Sequence, residues 1–159
     1  MQRLVEMVPI NRREIVKLLG VGAVVGASAA FLPGAGMAGA KAVDEAINKA
    51  AGGKKMAKGR ITLEVPQIAE NGNTVPIGVS VESPMTESDY VKSVHLFADK
   101  NPRPEVAVLH FNPASGKASA STRMRMIKTQ NVIAVAEMSD GAVFMAKAEV
   151  KVTIGGCGG

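Results

Sequence analysis

The chain has 159 residues, with 19 basic and 14 acidic side chains, a net charge of +5, two histidines, one cysteine and no tryptophan. This mild charge is scattered along the sequence, and a single tyrosine offers no stacking platform for bases, so a nucleic-acid-binding surface is excluded. One cysteine cannot form an internal disulfide, so packing must stabilise the fold even in an oxidising compartment.

The first 40 residues are typical of an export signal rather than of folded structure. The pair Arg12 and Arg13 precedes Lys17, and an apolar stretch with several glycines follows over residues 18–27. This order resembles a twin-arginine signal, which directs folded bacterial proteins across the inner membrane. We therefore expect the protein to be periplasmic.

The end of this segment predicts where the signal is removed. Ala38 and Ala40 form a small-x-small cleavage site, so the mature protein should begin at Lys41. A transmembrane anchor is the alternative, but glycines and Pro33 interrupt the apolar stretch, which runs directly into the cleavage site. No membrane anchor is expected after processing. Asn11 departs from the usual signal pattern, in which Ser or Thr occupies that position.

Removal of 40 of the 159 residues leaves 119, which is enough for one domain with a substantial core. The signal holds four of the 19 basic and two of the 14 acidic residues, so 15 and 12 remain and the mature charge is +3. Residues 41–59 are predicted to form a short helix and a basic linker. Val43 and Ile47 lie at helical spacing, and Gly52-Gly53 is a C-cap signal.

From Arg60 to Ile154 the hydrophobic period changes to two, which is typical of β-strands. Polar or Gly/Pro-rich turns divide this region, and we interpret residues 66–73 as a loop closed by Asn71-Gly72-Asn73. The predicted strands cover residues 60–65, 75–82, 91–98, 106–111, 118–127, 130–138 and 142–154. Seven short strands without intervening helices predict an all-β fold, an immunoglobulin-like antiparallel sandwich over residues 60–154.

The sequence ends in two glycine pairs that flank the single cysteine, Gly155-Gly156-Cys157-Gly158-Gly159. Because glycine has no Cβ, this segment can adopt φ of either sign, and we predict a flexible arm over residues 155–159. Extended, the arm would carry the sulfur about 10 Å beyond Ile154. The bare backbone around the thiol would also fit a narrow cleft.

Several roles for Cys157 remain open: a buried structural cysteine, an intermolecular disulfide, or a tail without function. Prenylation requires the cysteine one position earlier. A cupredoxin-like copper site needs a histidine shortly after the cysteine, whereas His95 and His110 lie in earlier apolar strands. We favour a thiol that carries or exchanges a group in another protein's active site. Neither a cofactor, a metal site nor a catalytic residue is predicted.

The signal, the sandwich and the glycine-flanked cysteine together resemble the SoxY family, the sulfur-carrier subunits of bacterial thiosulfate oxidation. The resemblance covers residues 60–159, and the terminal GGCGG is its most distinctive part. It also includes three internal motifs: Glu70-Asn71-Gly72-Asn73-Thr74-Val75-Pro76, Asn101-Pro102-Arg103-Pro104-Glu105 and Ala136-Glu137-Met138-Ser139-Asp140-Gly141.

This resemblance implies a carrier, not an enzyme, which presents its cargo on a swinging arm. A c-type cytochrome partner would join thiosulfate oxidatively to Cys157, and a dimanganese hydrolase would then release sulfate. Where present, a molybdenum–haem sulfane dehydrogenase would oxidise the remaining sulfane sulfur. The family also implies a heterodimer with SoxZ. The alternative is an enzyme, a periplasmic thiol sulfurtransferase or reductase with Cys157 as its nucleophile.

Overall fold

The structure, a computed structural model, describes the backbone of residues 35–156 and the side chains of residues 41–156. The predicted signal residues Arg12, Arg13 and Lys17 lie outside the described residues, as do Cys157 and the two glycines after it. The domain boundaries at residues 40 and 154 remain predictions.

Within the described residues, one α-helix, α1, spans Ala35–Ala50 and precedes the strands. The prediction of a short helix beginning at Lys41 was too short, because α1 runs back across the proposed cleavage site. Its end agrees with the glycine signal. Gly52 and Gly53 have φ of 59° and 70°, and Gly53 N–H donates to the carbonyl oxygen of Asn48 at 3.0 Å. These glycines cap carbonyls that the helix leaves unpaired.

Nine strands follow α1 within the described residues. They are β1 (Met56–Ala57), β2 (Ile61–Glu64), β3 (Ile68–Asn71), β4 (Val75–Val81), β5 (Val91–Ala98), β6 (Glu105–His110), β7 (Ala118–Met124), β8 (Gln130–Met138) and β9 (Val143–Ile154). The larger sheet has the order β1-β9-β8-β5-β6, with β3 also paired to β9, and the smaller has the order β2-β4-β7. The all-β, immunoglobulin-like sandwich is confirmed.

Two of the nine strands, β1 and β3, correct the sequence prediction. We had assigned β1 to the linker and β3 to a loop, yet both pair in parallel with β9. Met56 is opposite Val143 near the start of β9, and Ile68 is opposite Lys151 near its end. The sequences of these two strands, Met56-Ala57 and Ile68-Ala69-Glu70-Asn71, do not alternate apolar and polar residues, and their partner is distant in sequence. Strand β9, the last in the chain, therefore pairs with two of the first three strands.

Two apolar clusters lie on opposite faces of the larger sheet. Between the sheets, Val94 and Leu96 of β5 pack with Ile77 and Val79 of β4. On the outer face, α1 and the residue that follows it cover Phe97 with the buried side chains Val43, Ile47 and Ala51. The helix is therefore a third layer over the sandwich. Strand β8 contributes to both clusters, which explains its almost continuous apolar sequence.

Candidate functional site: the seat of the cysteine arm

The two glycines that follow β9 are held by the body of the protein. Gly156 is buried, and its N–H donates to the carbonyl oxygen of Met126 at 2.9 Å. Gly72 lies between the same segments: its N–H donates to Ile154 O at 2.7 Å, and its carbonyl oxygen accepts from Met126 N–H at 2.8 Å. We call Gly72, Met126 and Ile127 the arm seat. It joins the β3–β4 turn and the β7–β8 connection to the chain just before Cys157.

The close approach of three backbones explains why glycine occupies these positions. A Cβ on Gly156 would lie 2.6 Å from the carbonyl oxygen of Gly72, and one on Gly155 would overlap the carbonyl oxygen of Ile127. A Cβ on Gly72 would lie 2.6 Å from the nitrogen of Gly156 and would overlap Met126 O. None of the three has a left-handed φ. Space for backbone contact, rather than freedom of φ, is what requires glycine here.

The flexible arm over residues 155–159 stays a prediction, and the contacts of its first two residues bear on it. The sequence predicts that Gly155 and Gly156 are flexible, because glycine resists a fixed conformation. Local sequence contains no information about contacts with distant segments. The hydrogen bond to Met126 and the burial of Gly156 hold them against the seat. Cys157, Gly158 and Gly159 lie outside the described residues, so the prediction for them stays as it was.

Two amide side chains support the seat, the half-buried Asn101 and the buried Gln130. Asn101 Nδ2 donates to the carbonyl oxygen of Arg125 at 2.8 Å, and its Oδ1 accepts from Ile127 N–H at 3.3 Å. Gln130, which is 0% exposed, donates from Nε2 to the same Oδ1 at 2.8 Å. Its own Oε1 accepts from Lys100 N–H at 2.8 Å. The β7–β8 connection is thus fixed on both sides of Met126.

Other side chains fix the turn and strand that meet at the seat. Asn71 Oδ1 accepts from Asn73 N–H at 2.9 Å, which stabilises the turn containing Gly72. At the end of β9, Thr153 Oγ1 donates to Glu70 O at 2.9 Å, and Val152 N–H donates to Thr129 Oγ1 at 2.9 Å. The last strand is therefore tied to both neighbouring segments immediately before Gly155.

The turns at this end of the sandwich carry mainly basic side chains. Arg125 and Lys128 are exposed and flank the Met126-Ile127 pair of the seat. Further exposed basic residues in the adjoining segments are Lys100, Arg103 and Arg123. Fewer acidic side chains lie nearby: Asp99, which accepts from Asn131 at 2.9 and 2.6 Å, and the exposed Glu70. The chain therefore reaches Cys157 from a predominantly positive surface.

The other predicted candidates do not join this site. His95 Nδ1 lies 3.0 Å from Glu105 Oε1 and its ring stacks on Phe97, whereas His110 is exposed at the far end of β6. Within the described residues, no group of three or more His, Cys, Asp or Glu side chains could hold a metal ion. No helix in the described part of the chain is long and apolar enough to span a membrane. Ala38 and Ala40 lie within α1.

Sequence reasoning missed the supporting residues of the site, Gly72 and Asn101. Both lie in motifs that contributed to the family resemblance, but each was interpreted only as a turn residue. Their partners, Gly156 and Ile127, are remote in sequence, so no local pattern reveals the contacts. The sequence offered one signal for them: these two turn motifs resemble the family motifs over more residues than a turn alone requires.

Comparison with known proteins gives a family and a fold. The family model for the sulfur oxidation protein SoxY matches residues 47–157. The solved structure of the sulfur carrier protein SoxY from Chlorobium limicola f thiosulfatophilum is 34% identical, covers 72% of this chain and 99% of that one, and superposes with a TM-score of 0.61. Among curated proteins, no match was found.

More distant similarities concern the fold alone. A superoxide reductase (neelaredoxin) from Ignicoccus hospitalis is 16% identical over 59% of this chain and 80% of that one, with a TM-score of 0.53. A putative superoxide reductase from Thermotoga maritima is 18% identical over 60% and 87% of the two chains, with a TM-score of 0.51. Sandwiches of this kind therefore serve more than one chemistry, and function must be argued from the site.

Proposed function

The chain belongs to the SoxY family of sulfur oxidation proteins, and from this membership we propose that it is a periplasmic carrier that holds sulfur intermediates covalently on Cys157. The observation that carries the proposal is that the family match extends to residue 157, the only thiol in the sequence. A single thiol provides a single attachment point. The family's sulfur-carrier role requires such a point.

The proposed chemistry begins with an oxidative conjugation. The Cys157 thiol and thiosulfate form a sulfur–sulfur bond, giving Cys–S–S–SO₃⁻ and releasing one proton and two electrons. A c-type cytochrome partner accepts the electrons. Water then cleaves the bond to the sulfonate group in a dimanganese hydrolase, which gives sulfate, a proton and a persulfide on Cys157. Where a sulfane dehydrogenase is present, it oxidises the remaining sulfane sulfur.

The geometry of the arm seat supports carriage rather than catalysis. Gly155 and Gly156 are contacted by backbone carbonyl and amide groups, and the supporting side chains are the amides of Asn101 and Gln130. An enzyme that uses a cysteine nucleophile needs a base or a cationic group fixed beside the thiol, whereas the cations that flank the seat, Arg125 and Lys128, are exposed side chains. In a carrier, each visiting enzyme supplies those groups, and the covalent tether raises the local concentration of the intermediate.

One edge of the larger sheet supports the proposed heterodimer with SoxZ. Strand β6 lies at the edge of that sheet, so its outer backbone groups are available to a partner. Val108 is 38% exposed, while Val106 and Leu109 are only partly buried. Exposed apolar side chains on an edge strand are typical of protein–protein contacts. We propose β6 as part of the heterodimer interface.

The mass of the intact protein tests the carrier proposal. Mature protein incubated with thiosulfate and the oxidised c-type cytochrome partner should gain the mass of one thiosulfate group, and a thiol reductant should remove it. The Cys157→Ser variant should gain nothing under the same conditions. A missing adduct on the wild-type protein, with cytochrome that conjugates thiosulfate to another SoxY, would contradict the proposal.

Periplasmic export is tested separately. Changing Arg12 and Arg13 to Lys should leave folded precursor in the cytoplasm, because the twin-arginine route requires the arginine pair. Exported wild-type protein should begin at Lys41 when its N-terminus is sequenced. Exported protein that retains residues 1–40 would contradict the predicted cleavage.

A further inference from the structure

We propose that Gly72 and Asn101 are positioning residues for Cys157: they hold the root of the arm, so that the cysteine pivots beyond Gly156 instead of beyond Ile154. This inference rests on the proposed carrier function and adds the residues that set the arm's reach. Neither residue is near Cys157 in sequence. The structure brings Gly72 to the segment immediately before it, and Asn101 to the β7–β8 connection that binds this segment.

The position of the pivot decides how far the sulfur can travel. If the chain were free after Ile154, Gly155 and Gly156 would add about 7 Å of extended backbone to its reach. With Gly156 bound to Met126, those two residues are part of the body. The sulfur then remains close to the turns that carry Arg125 and Lys128. The reach of the sulfur is therefore shorter when Gly156 is bound to Met126 than when it is not.

Gly72 controls the seat by direct contact. Its amide and carbonyl groups bind Ile154 and Met126, and a Cβ at this position would collide with Gly156 N and Met126 O. Its φ is not left-handed, so alanine is compatible with its backbone conformation. A Gly72→Ala substitution therefore acts chiefly by pushing apart the three segments of the seat.

Asn101 controls the seat from the other side. Its side chain binds Arg125 O and Ile127 N–H, the backbone groups on either side of Met126. Gln130 fixes the orientation of the Asn101 amide through the hydrogen bond to Oδ1. Loss of the Asn101 side chain should loosen Met126 without any steric clash. The two positions thus disturb the same contact by independent means.

The single cysteine gives a direct probe of the seat. A nitroxide attached to Cys157 of the full mature chain reports how freely the residue moves, and amide exchange at Gly156 reports its bond to Met126. In the wild-type protein, the Gly156 amide should exchange at least about tenfold more slowly than in an unstructured peptide. Gly72→Ala should abolish that protection and narrow the nitroxide spectrum.

Two further variants separate the seat from general stability. Gly78→Ala makes the same change in β4, where the new Cβ meets the Glu64 side chain rather than the arm. It should leave both signals at their wild-type values. Asn101→Ala should increase nitroxide mobility even if Gly72→Ala fails to fold. With the partner enzymes, both seat variants should change KM for the carrier more than kcat, because presentation rather than chemistry is altered.

The outcomes distinguish this inference from the carrier proposal. Rapid exchange of Gly156 in the wild-type protein would overturn the inference, as would unchanged nitroxide mobility in both folded seat variants. Neither readout involves sulfur chemistry. If the seat is present but Cys157 takes up no thiosulfate, the carrier proposal fails and the structural inference stands.

Discussion

The side chain of Gln130 is fully buried and donates a hydrogen bond from Nε2 to Oδ1 of Asn101 at 2.8 Å. Gln130 is the first residue of β8, and Asn101 lies in the turn between β5 and β6. The Oε1 atom of Gln130 accepts from Lys100 N–H, so the Gln130 side chain also binds a backbone group of that turn. One amide therefore connects the sandwich core to the support of the arm seat.

This relationship predicts a large effect of Gln130→Leu, which preserves size but removes both hydrogen-bonding groups. Lys100 N–H would lose its partner, and the free energy of unfolding should fall by about 1–3 kcal/mol. Gln67→Leu is the matched control, because Gln67 is exposed. Urea denaturation of the two variants provides the comparison. Equal midpoints would show that the buried amide contributes nothing.

Substitution of the arm glycines by valine should affect stability at Gly156 but not at Gly158. A freely flexible arm implies that valine at Gly156 or Gly158 leaves stability unchanged. The structure changes this for Gly156, since its Cβ would lie 2.6 Å from Gly72 O. Gly156→Val should lower the free energy of unfolding by about 1 kcal/mol. This loss is at the low end for overpacking, because the arm can relieve the clash by leaving the seat.

Gly158→Val provides the contrast, since Gly158 lies beyond Cys157 in the sequence. It should keep wild-type stability and normal alkylation of Cys157 by a small reagent, but slow turnover in the narrow sites of partner enzymes. Thermal unfolding and partner turnover separate the two effects. If Gly156→Val is as stable as Gly158→Val, the seat does not constrain Gly156.

The fold was largely predictable because alternation of apolar residues is a local signal. Val75, Ile77, Val79 and Val81 are all buried, as their spacing indicates. The short strands β1 and β3 were not predictable, because the strand with which both pair, β9, is distant in sequence. Val43 and Ile47 indicated that a helix is present, but its start at Ala35 and its role as a layer over Phe97 were not apparent from the sequence.

The candidate site was also predictable only in part. Cys157 could be singled out because a lone thiol between glycines is unusual in any sequence. The restraint on Gly156 could not, because the residues that hold it, Gly72 and Met126, come from two distant turns. Glycine has two physical uses, freedom of φ and close approach of backbones, and sequence alone does not separate them.

The helix predicts how far the N-terminus can be shortened. A chain that begins at Lys41 retains the buried side chains Val43, Ile47 and Ala51, whereas one that begins at Lys54 exposes Phe97. The shorter chain should lose several kcal/mol of stability, since burying one large apolar side chain contributes about 1.5–3 kcal/mol. Chemical denaturation compares the two. A milder test is Ile47→Ala, with an expected loss of about 2–4 kcal/mol.

The edge strand β6 predicts a weakened heterodimer without loss of folding. Val108→Lys places a charge on an exposed apolar position of that edge, and burying it against a partner would be unfavourable. Co-purification with SoxZ should fall sharply while the thermal midpoint of the isolated subunit stays near its original value. Ser121→Lys on β7, also exposed, is the control and should bind normally. Equal binding by both variants would place the interface elsewhere.

The basic turns around the seat predict electrostatic steering of anions toward Cys157. Thiosulfate is a dianion and its conjugate on the cysteine keeps one negative charge, so Arg125 and Lys128 should favour their approach. Reversing both charges with Arg125→Glu and Lys128→Glu should slow conjugation about tenfold at low ionic strength. The difference should shrink as salt is raised, because charges more than about 10 Å apart are largely screened at 0.1 M salt.

A control with the same change in net charge separates local steering from overall charge. Lys55 and Lys117 are exposed and lie at the opposite end of the sandwich, next to the start of β1 and of β7. Lys55→Glu with Lys117→Glu should conjugate thiosulfate at nearly the wild-type rate. Equal slowing by the two pairs would show that net charge alone matters. No slowing in the Arg125 and Lys128 pair would show that the positive surface around the arm seat has no part in bringing the anion to the thiol.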